Sequence, residues 1–166
     1  QRTLWGPLDF LIIDLPPGTG DLQLTLAHRL KCHGVVVVTT PQEVVLGDVR
    51  RSVDLFEKRN IPVLGLVENM GYFSCEECGH RNMPFPKSER VLPGDPLEKI
   101  DVLATVPLAR EIAVASDSGC PISLREDGGK FRELFTVLAR QVVINLRDAI
   151  IRLAAAELLV DDSSVE

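Results

Sequence analysis

Asp9-Phe10-Leu11-Ile12-Ile13-Asp14-Leu15-Pro16-Pro17-Gly18-Thr19-Gly20-Asp21 joins a short apolar run to an acid and then to a Pro-Pro-Gly turn. A run of this length without polar alternation is expected as a buried strand of a parallel sheet, where helices cover both faces. A carboxylate at the tip of such a strand is held rigidly at the sheet's ligand end. Asp14 is therefore a candidate catalytic acid that holds a Mg²⁺-bound water. Gly18, four residues on, lets the backbone approach a phosphate closely and donate its N–H. Such a loop registers whether a terminal phosphate is present. The plain alternative is a strand-to-helix turn with an incidental acid, and the full octapeptide from Asp14 to Asp21 weighs against it.

Outward from this stretch, strands and helices are expected to alternate. Asp21 to Leu30 reads as a helix with Asp21 at its N-cap. Gly34-Val35-Val36-Val37-Val38-Thr39-Thr40-Pro41 reads as a second buried strand stopped by proline. From Glu43 to Arg59, Val45, Val49, Val53 and Phe56 fall on one helical face. Asn60-Ile61-Pro62 ends that helix, and Val63 to Val67 gives a third strand. An irregular stretch from Gly71 to Pro96 precedes a fourth strand, Asp101 to Val106. The last helix carries a long stripe: Phe131, Leu134, Phe135, Leu138, Val142, Leu146, Ala149 and Leu153. This order predicts an α/β fold, a mostly parallel sheet flanked by helices. Ligands of such sheets bind past the carboxyl ends of the strands. Asp14, Asn69 and Pro107 each follow a predicted strand directly.

The 166 residues, 45% of them hydrophobic, suffice for one ordinary core. A net charge of −6 leaves no basic surface for a nucleic-acid backbone, so no nucleic-acid partner is expected. No apolar run approaches the ~20 residues that span a bilayer, and no membrane partner is expected. The chain opens Gln1-Arg2-Thr3-Leu4-Trp5, with no initiator Met and no apolar leader, as a processed or incomplete copy of something longer would. Cysteines at 32, 75, 78 and 120 are too sparse for a disulfide framework and fit a reducing compartment.

Cys75-Glu76-Glu77-Cys78, followed by Gly79 and His80, places two thiols three residues apart in a loop. They can chelate one soft metal centre, either an iron–sulfur cluster or zinc, and spacing does not choose between them. One such pair supplies two of the four thiolates either centre normally takes. Cys32 precedes a strand and so lies at the other end of the sheet. A symmetric dimer would complete the count. No strand–CxxC–helix arrangement of a redox pair is present.

The chain from Leu8 to Asp21 resembles the Mrp/ApbC branch of the MinD-like P-loop ATPases almost residue by residue. The likeness continues through Val37-Val38-Thr39-Thr40-Pro41-Gln42 and Val63-Leu64-Gly65-Leu66-Val67-Glu68-Asn69-Met70. It resumes at Val106-Pro107-Leu108 and at Ala115-Ser116-Asp117-Ser118-Gly119-Cys120-Pro121-Ile122. The resemblance implies a partial P-loop NTPase with a Rossmann-like sheet, covering residues 1–160 with a CxxC loop at 71–96 and an acidic tail at 161–166. It implies that Asp14 is the switch acid near Mg²⁺, that Pro17 and Gly18 lie beside the γ-phosphate of ATP, and that Asn69 and Pro107 hold the adenine. It further implies a 4Fe–4S cluster bridged between the Cys75 and Cys78 pairs of a homodimer and delivered to apo iron–sulfur proteins. The expected compartment is the cytoplasm, with the mitochondrial matrix as the alternative. A MinD-like positioning ATPase with a zinc-stapled dimer is the second expectation.

Three departures stand beside the likeness. No G-x-x-x-x-G-K-[ST] occurs, so this chain alone is not expected to hydrolyse ATP. Without that strand and loop the sheet would carry an open apolar edge, which favours a dimer or larger assembly with swapped elements. Phe85 to Arg90 and Ala109 also differ from the residues usual in the family.

Overall fold

A computed structural model describes residues 3–16, 20–85 and 94–162. Three parallel strands form its centre: β1 (Val35–Thr39), β2 (Val63–Glu68) and β5 (Val102–Thr105), in the order β1-β2-β5. Each lies within a segment read from the sequence as a strand, apart from one-residue differences at the ends. The register aligns Thr39 with Glu68 and Glu68 with Thr105, so the carboxyl ends finish in one row.

The helix α2 (Glu43–Glu57) covers one face of this sheet. Its four-four-three spacing works as expected, with a shift by one residue in the first turn. Leu46, Val49, Val53 and Phe56 are buried, and Val45 packs at the margin. Val37 and Leu66, paired across β1 and β2, meet Leu46, Val49 and Val53 there, with Leu97 closing the end. Leu46 is fully buried, and truncating it to alanine would cost about 2–5 kcal/mol.

The other face belongs to α4 (Gly129–Asp162), which packs on β2 and β5. From Phe131 to Ala149 every residue of the predicted stripe is buried or half-buried, while Leu153 is exposed. The helix runs on through Asp162, past the boundary expected for an irregular tail. Asn145 Nδ2 donates to Leu64 O at 2.7 Å, which satisfies a strand carbonyl where the β1–β2 register shifts. Gly65 sits at that irregularity with φ +150°, and a Cβ there would run into Leu103. A short helix α3 (Arg110–Asp117) is joined to the start of α4 by Ala115, Ile122, Phe131 and Phe135. Ala109 holds the N-cap position of α3 and gives it no side-chain cap.

Two expectations need correction. Asp9 to Asp14 is not a strand: residues 3–16 are irregular, and Ile12 is 90% exposed. A strand apolar on both faces forms only where a neighbour takes its ladder and helices cover it. Among the described residues no strand lies on the outer edge of β1 to receive it. The helix that follows, α1 (Asp21–Arg29), starts from Gly20 at the N-cap, with Asp21 as its first helical residue. The second correction concerns the stretch from Gly71 to Pro96. It contains an antiparallel pair, β3 (Phe73–Ser74) with β4 (Arg81–Asn82).

Arg50, on α2, anchors the end of that stretch. Its Nε donates to Asp95 Oδ2 at 2.7 Å and its Nη1 to Glu43 Oε1 at 2.7 Å. The Asp95 side chain is 6% exposed, and its other oxygen accepts from Leu97 N at 2.9 Å. Burial pushes the Asp95 carboxyl up, but the Leu97 amide and then Arg50 outweigh it, so its pKa lies below the ordinary value. A depressed folded pKa stabilises the fold above the unfolded value and loses that contribution as pH falls through the folded one. Asp95→Asn should therefore lower unfolding free energy by about 2 kcal/mol at neutral pH. The gap between variant and wild type should close in acid, below about pH 4, as urea titrations at several pH values would show.

Candidate functional site

The row Thr39–Glu68–Thr105 marks the edge past which the sheet offers its ligand end. Asn69 follows β2 directly, and its backbone N–H donates to Thr39 O at 2.6 Å. Its side-chain Oδ1 accepts from Met70 N at 3.0 Å, which leaves the amide nitrogen to point a donor elsewhere. Met70 takes φ +56°, turning the chain sharply off the sheet. Pro107 follows β5 and is buried. Gly71 N donates to Val106 O at 3.1 Å and Leu108 N to Tyr72 O at 2.7 Å, so the segments after β2 and β5 are bonded together on either side of Pro107.

Thr40 carries a signal that no spacing in the sequence announces. Its hydroxyl, one residue past β1, is buried with no hydrogen-bond partner among the described residues. A buried hydroxyl in that state costs about 1–3 kcal/mol unless a ligand takes it up. Asn69 and Thr40 thus offer polar groups at adjacent strand ends, beside the buried ring of Pro107. That donor set fits a planar heterocycle with polar edges, such as a nucleotide base.

Asp14 is exposed on the irregular segment and belongs to no strand. Pro17 and Gly18 lie outside the described residues. The structure therefore brings the segments of Asn69 and Pro107 together at one end of the sheet, of which Asp14 is not a part.

Cys75 and Cys78 occupy the tip of the β3–β4 ribbon. Cys75 N donates to His80 O at 2.9 Å and Gly79 N to Cys75 O at 2.9 Å, closing a tight knuckle in which Gly79 takes φ +70°. The backbone amides of Cys78 and Glu77, and then the Cys78 thiol, donate toward the Cys75 sulfur and hold its pKa below the ordinary thiol value. The negative form of that sulfur, which is the metal-ligating form, is thus favoured. Cys75 is half-buried and Cys78 exposed. Among the described residues no three His, Cys, Asp or Glu side chains are grouped to hold a metal ion. The pair therefore stands alone, and neither His80 nor Cys32 nor Cys120 joins it. At the base of the ribbon Arg81 lies over the Tyr72 ring, 4.6 Å from its centroid, a diagonal cross-strand contact that no sequence spacing announces.

A parallel sheet covered by helices, with polar groups past its carboxyl ends, defines an α/β protein of the class that binds ligands beyond its strand ends. Residues 1–143 match the family described as "ParA: NUBPL iron-transfer P-loop NTPase", and the chain belongs to it. It is 43% identical over 141 residues to the iron-sulfur cluster carrier protein of Pseudomonas fragi, covering 83% of this chain and 48% of that protein. It is 39% identical over 145 residues to the iron-sulfur cluster transfer protein NUBPL of Mus musculus, covering 87% and 45%. A nucleotide-binding protein from Archaeoglobus fulgidus, solved in complex with ADP, superposes with a TM-score of 0.62 at 38% identity over 76% of this chain and 52% of that one. The chain thus spans about half the length of the relatives it matches. The Mrp/ApbC-type resemblance and the parallel α/β fold expected from the sequence are both confirmed. Among the described residues no helix is long and apolar enough to cross a membrane.

Thr40→Val keeps the side chain's shape and removes the orphaned hydroxyl. It should raise the unfolding free energy of the ligand-free protein by about 1 kcal/mol, measured by urea denaturation. A loss of stability would mean that the hydroxyl has a partner within the fold.

Proposed function

We propose that this chain is part of a nucleotide-dependent iron–sulfur cluster carrier whose cargo is held by Cys75 and Cys78 from each of two copies. The observation that carries this reading is the knuckle. Two thiols, one of them activated by backbone amides, sit at the tip of a ribbon with no third ligand beside them among the described residues. Two thiolates are half of what a 4Fe–4S cluster takes, and a two-fold axis supplies the other half. Exposed Phe73 and Met83 on the ribbon favour cover by a second copy. So does the bare apolar run from Phe10 to Ile13, which a larger assembly or an exchange of elements would bury. The names of the curated relatives support cluster transfer as the activity, with apo iron–sulfur proteins as recipients.

The nucleotide half of the reading rests on the strand ends. Asn69 offers donor and acceptor to the base edge and Pro107 flanks it, while Asp14, Pro17 and Gly18 serve the phosphate side. Mg²⁺ bound near Asp14 would neutralise phosphate charge. The ADP held by the Archaeoglobus relative supports this class of ligand. The sequence contains no lysine-bearing phosphate loop, so the chain by itself contributes an edge of an ATP site and does not hydrolyse ATP. A reducing compartment, cytoplasm or mitochondrial matrix, keeps the thiols available.

The test is anaerobic reconstitution of the full chain with iron and sulfide, beside the Cys75→Ala/Cys78→Ala double variant. The wild type should bind both and turn brown, and the double variant should bind neither. Equal iron and sulfide in the two proteins would remove the cluster assignment. A colourless protein that retains zinc through the same cysteines would favour a positioning ATPase with a zinc-stapled dimer.

A further inference from the structure

Gly71 is buried at the root of the thiol ribbon, between Asn69 and β3. Its amide donates to Val106 O, and the next residue's carbonyl, Tyr72 O, accepts from Leu108 N. These two bonds fasten the ribbon root to the segment that contains Pro107. At the same point the Gly71 Cα lies against Thr105. A Cβ built there would run into Thr105 Cγ2 and would stand 3.3 and 3.4 Å from Glu68 Cγ and Cδ.

Thr105 is not free to turn aside. It is β-branched, which restricts χ1. Its Oγ1 donates to Glu68 Oε2 at 3.3 Å, so turning would break that bond. Gly71 is not among the residues with positive φ, so glycine is needed here for space and not for backbone conformation. Only Tyr72 and the two residues of β3 separate Gly71 from Cys75. A shift at Gly71 is therefore delivered to Cys75, four residues further along.

We propose that the Gly71–Thr105 contact is the joint that sets the direction in which the thiol ribbon leaves the sheet. Gly71 is then a positioning residue for Cys75 and Cys78, and Thr105 is the wall that leaves no room for a larger side chain there. The same joint makes the ribbon answer to the Pro107 segment, because Val106 and Leu108 hold its root. This inference rests on the reading of the two thiols as a metal-binding pair.

The experiment compares four full chains: wild type, Gly71→Ala, Thr105→Ser and the double variant. Thr105→Ser removes the obstructing Cγ2 and keeps the oxygen that meets Glu68. Co²⁺ alone is titrated anaerobically, and binding is read from thiolate-to-cobalt charge-transfer absorption. Gly71→Ala should weaken Co²⁺ binding about tenfold or more, as loss of a supporting contact around metal ligands does. Thr105→Ser should bind as the wild type does, and the double variant should recover most of the loss. In metal-free protein the amide chemical shifts of Cys75 and Gly79 should move in Gly71→Ala and return in the double variant. A merely destabilising alanine would lower the melting temperature without this rescue.

Wild-type binding and unmoved amides in Gly71→Ala would overturn the proposal. So would a double variant no better than the single one. If the wild type itself shows no thiolate band, the metal reading fails, and the amide pattern still decides whether the joint exists.

Discussion

A central parallel strand takes hydrogen-bond partners on both edges and apolar cover on both faces, and among the described strands β2 alone has all four. Its edges are taken by β1 and β5, one face by α2 and the other by α4. Leu64, Leu66 and Val67 are buried as a result, and Asn145 reaches from α4 to satisfy the carbonyl that the register shift leaves at Leu64. β1 and β5 each have one partner strand and depend on β2 for it. The strand also leads directly into the chemistry. Asn69 is its next residue, and the thiol ribbon begins four residues after that.

This continuity places two sites of different character on one piece of rigid backbone. The strand ends of β1, β2 and β5 gather Thr40, Asn69 and Pro107 by register, because Thr39, Glu68 and Thr105 are already aligned. The ribbon then leaves the sheet at Met70 and Gly71, held by bonds to Val106 and Leu108. In the proposed carrier the cargo must be gripped firmly and still be exposed enough to pass on. Cys75, half-buried and supported by amides, would suit the grip, and Cys78, exposed, would suit the transfer.

Much of this was legible in the sequence. The steps Val49, Val53, Phe56 and the stripe from Phe131 to Ala149 gave helices with the correct inner faces, because burial on one side imposes a period that needs no knowledge of the partner. Proline after each of β1 and β5 marked where those strands end. The run from Phe10 to Ile13 misled for the converse reason. Its composition asks for burial on both faces, and whether it gets burial depends on a neighbouring strand that composition does not record. Two-residue strands such as β3 and β4 leave no periodicity to detect. The Arg50–Asp95 bond joins residues 45 apart, and the close approach of Gly71 to Thr105 crosses two strands. Pairings of that kind are set by topology and come into view only with the fold.

The central claim is that one cluster is shared by the cysteine pairs of two chains. Native mass spectrometry of the anaerobically loaded protein tests it most directly. The loaded protein should give a species of two chains with one 4Fe–4S cluster, which collapses to single chains without cluster when Cys75 and Cys78 are both replaced. A single chain carrying a complete cluster of its own would contradict it.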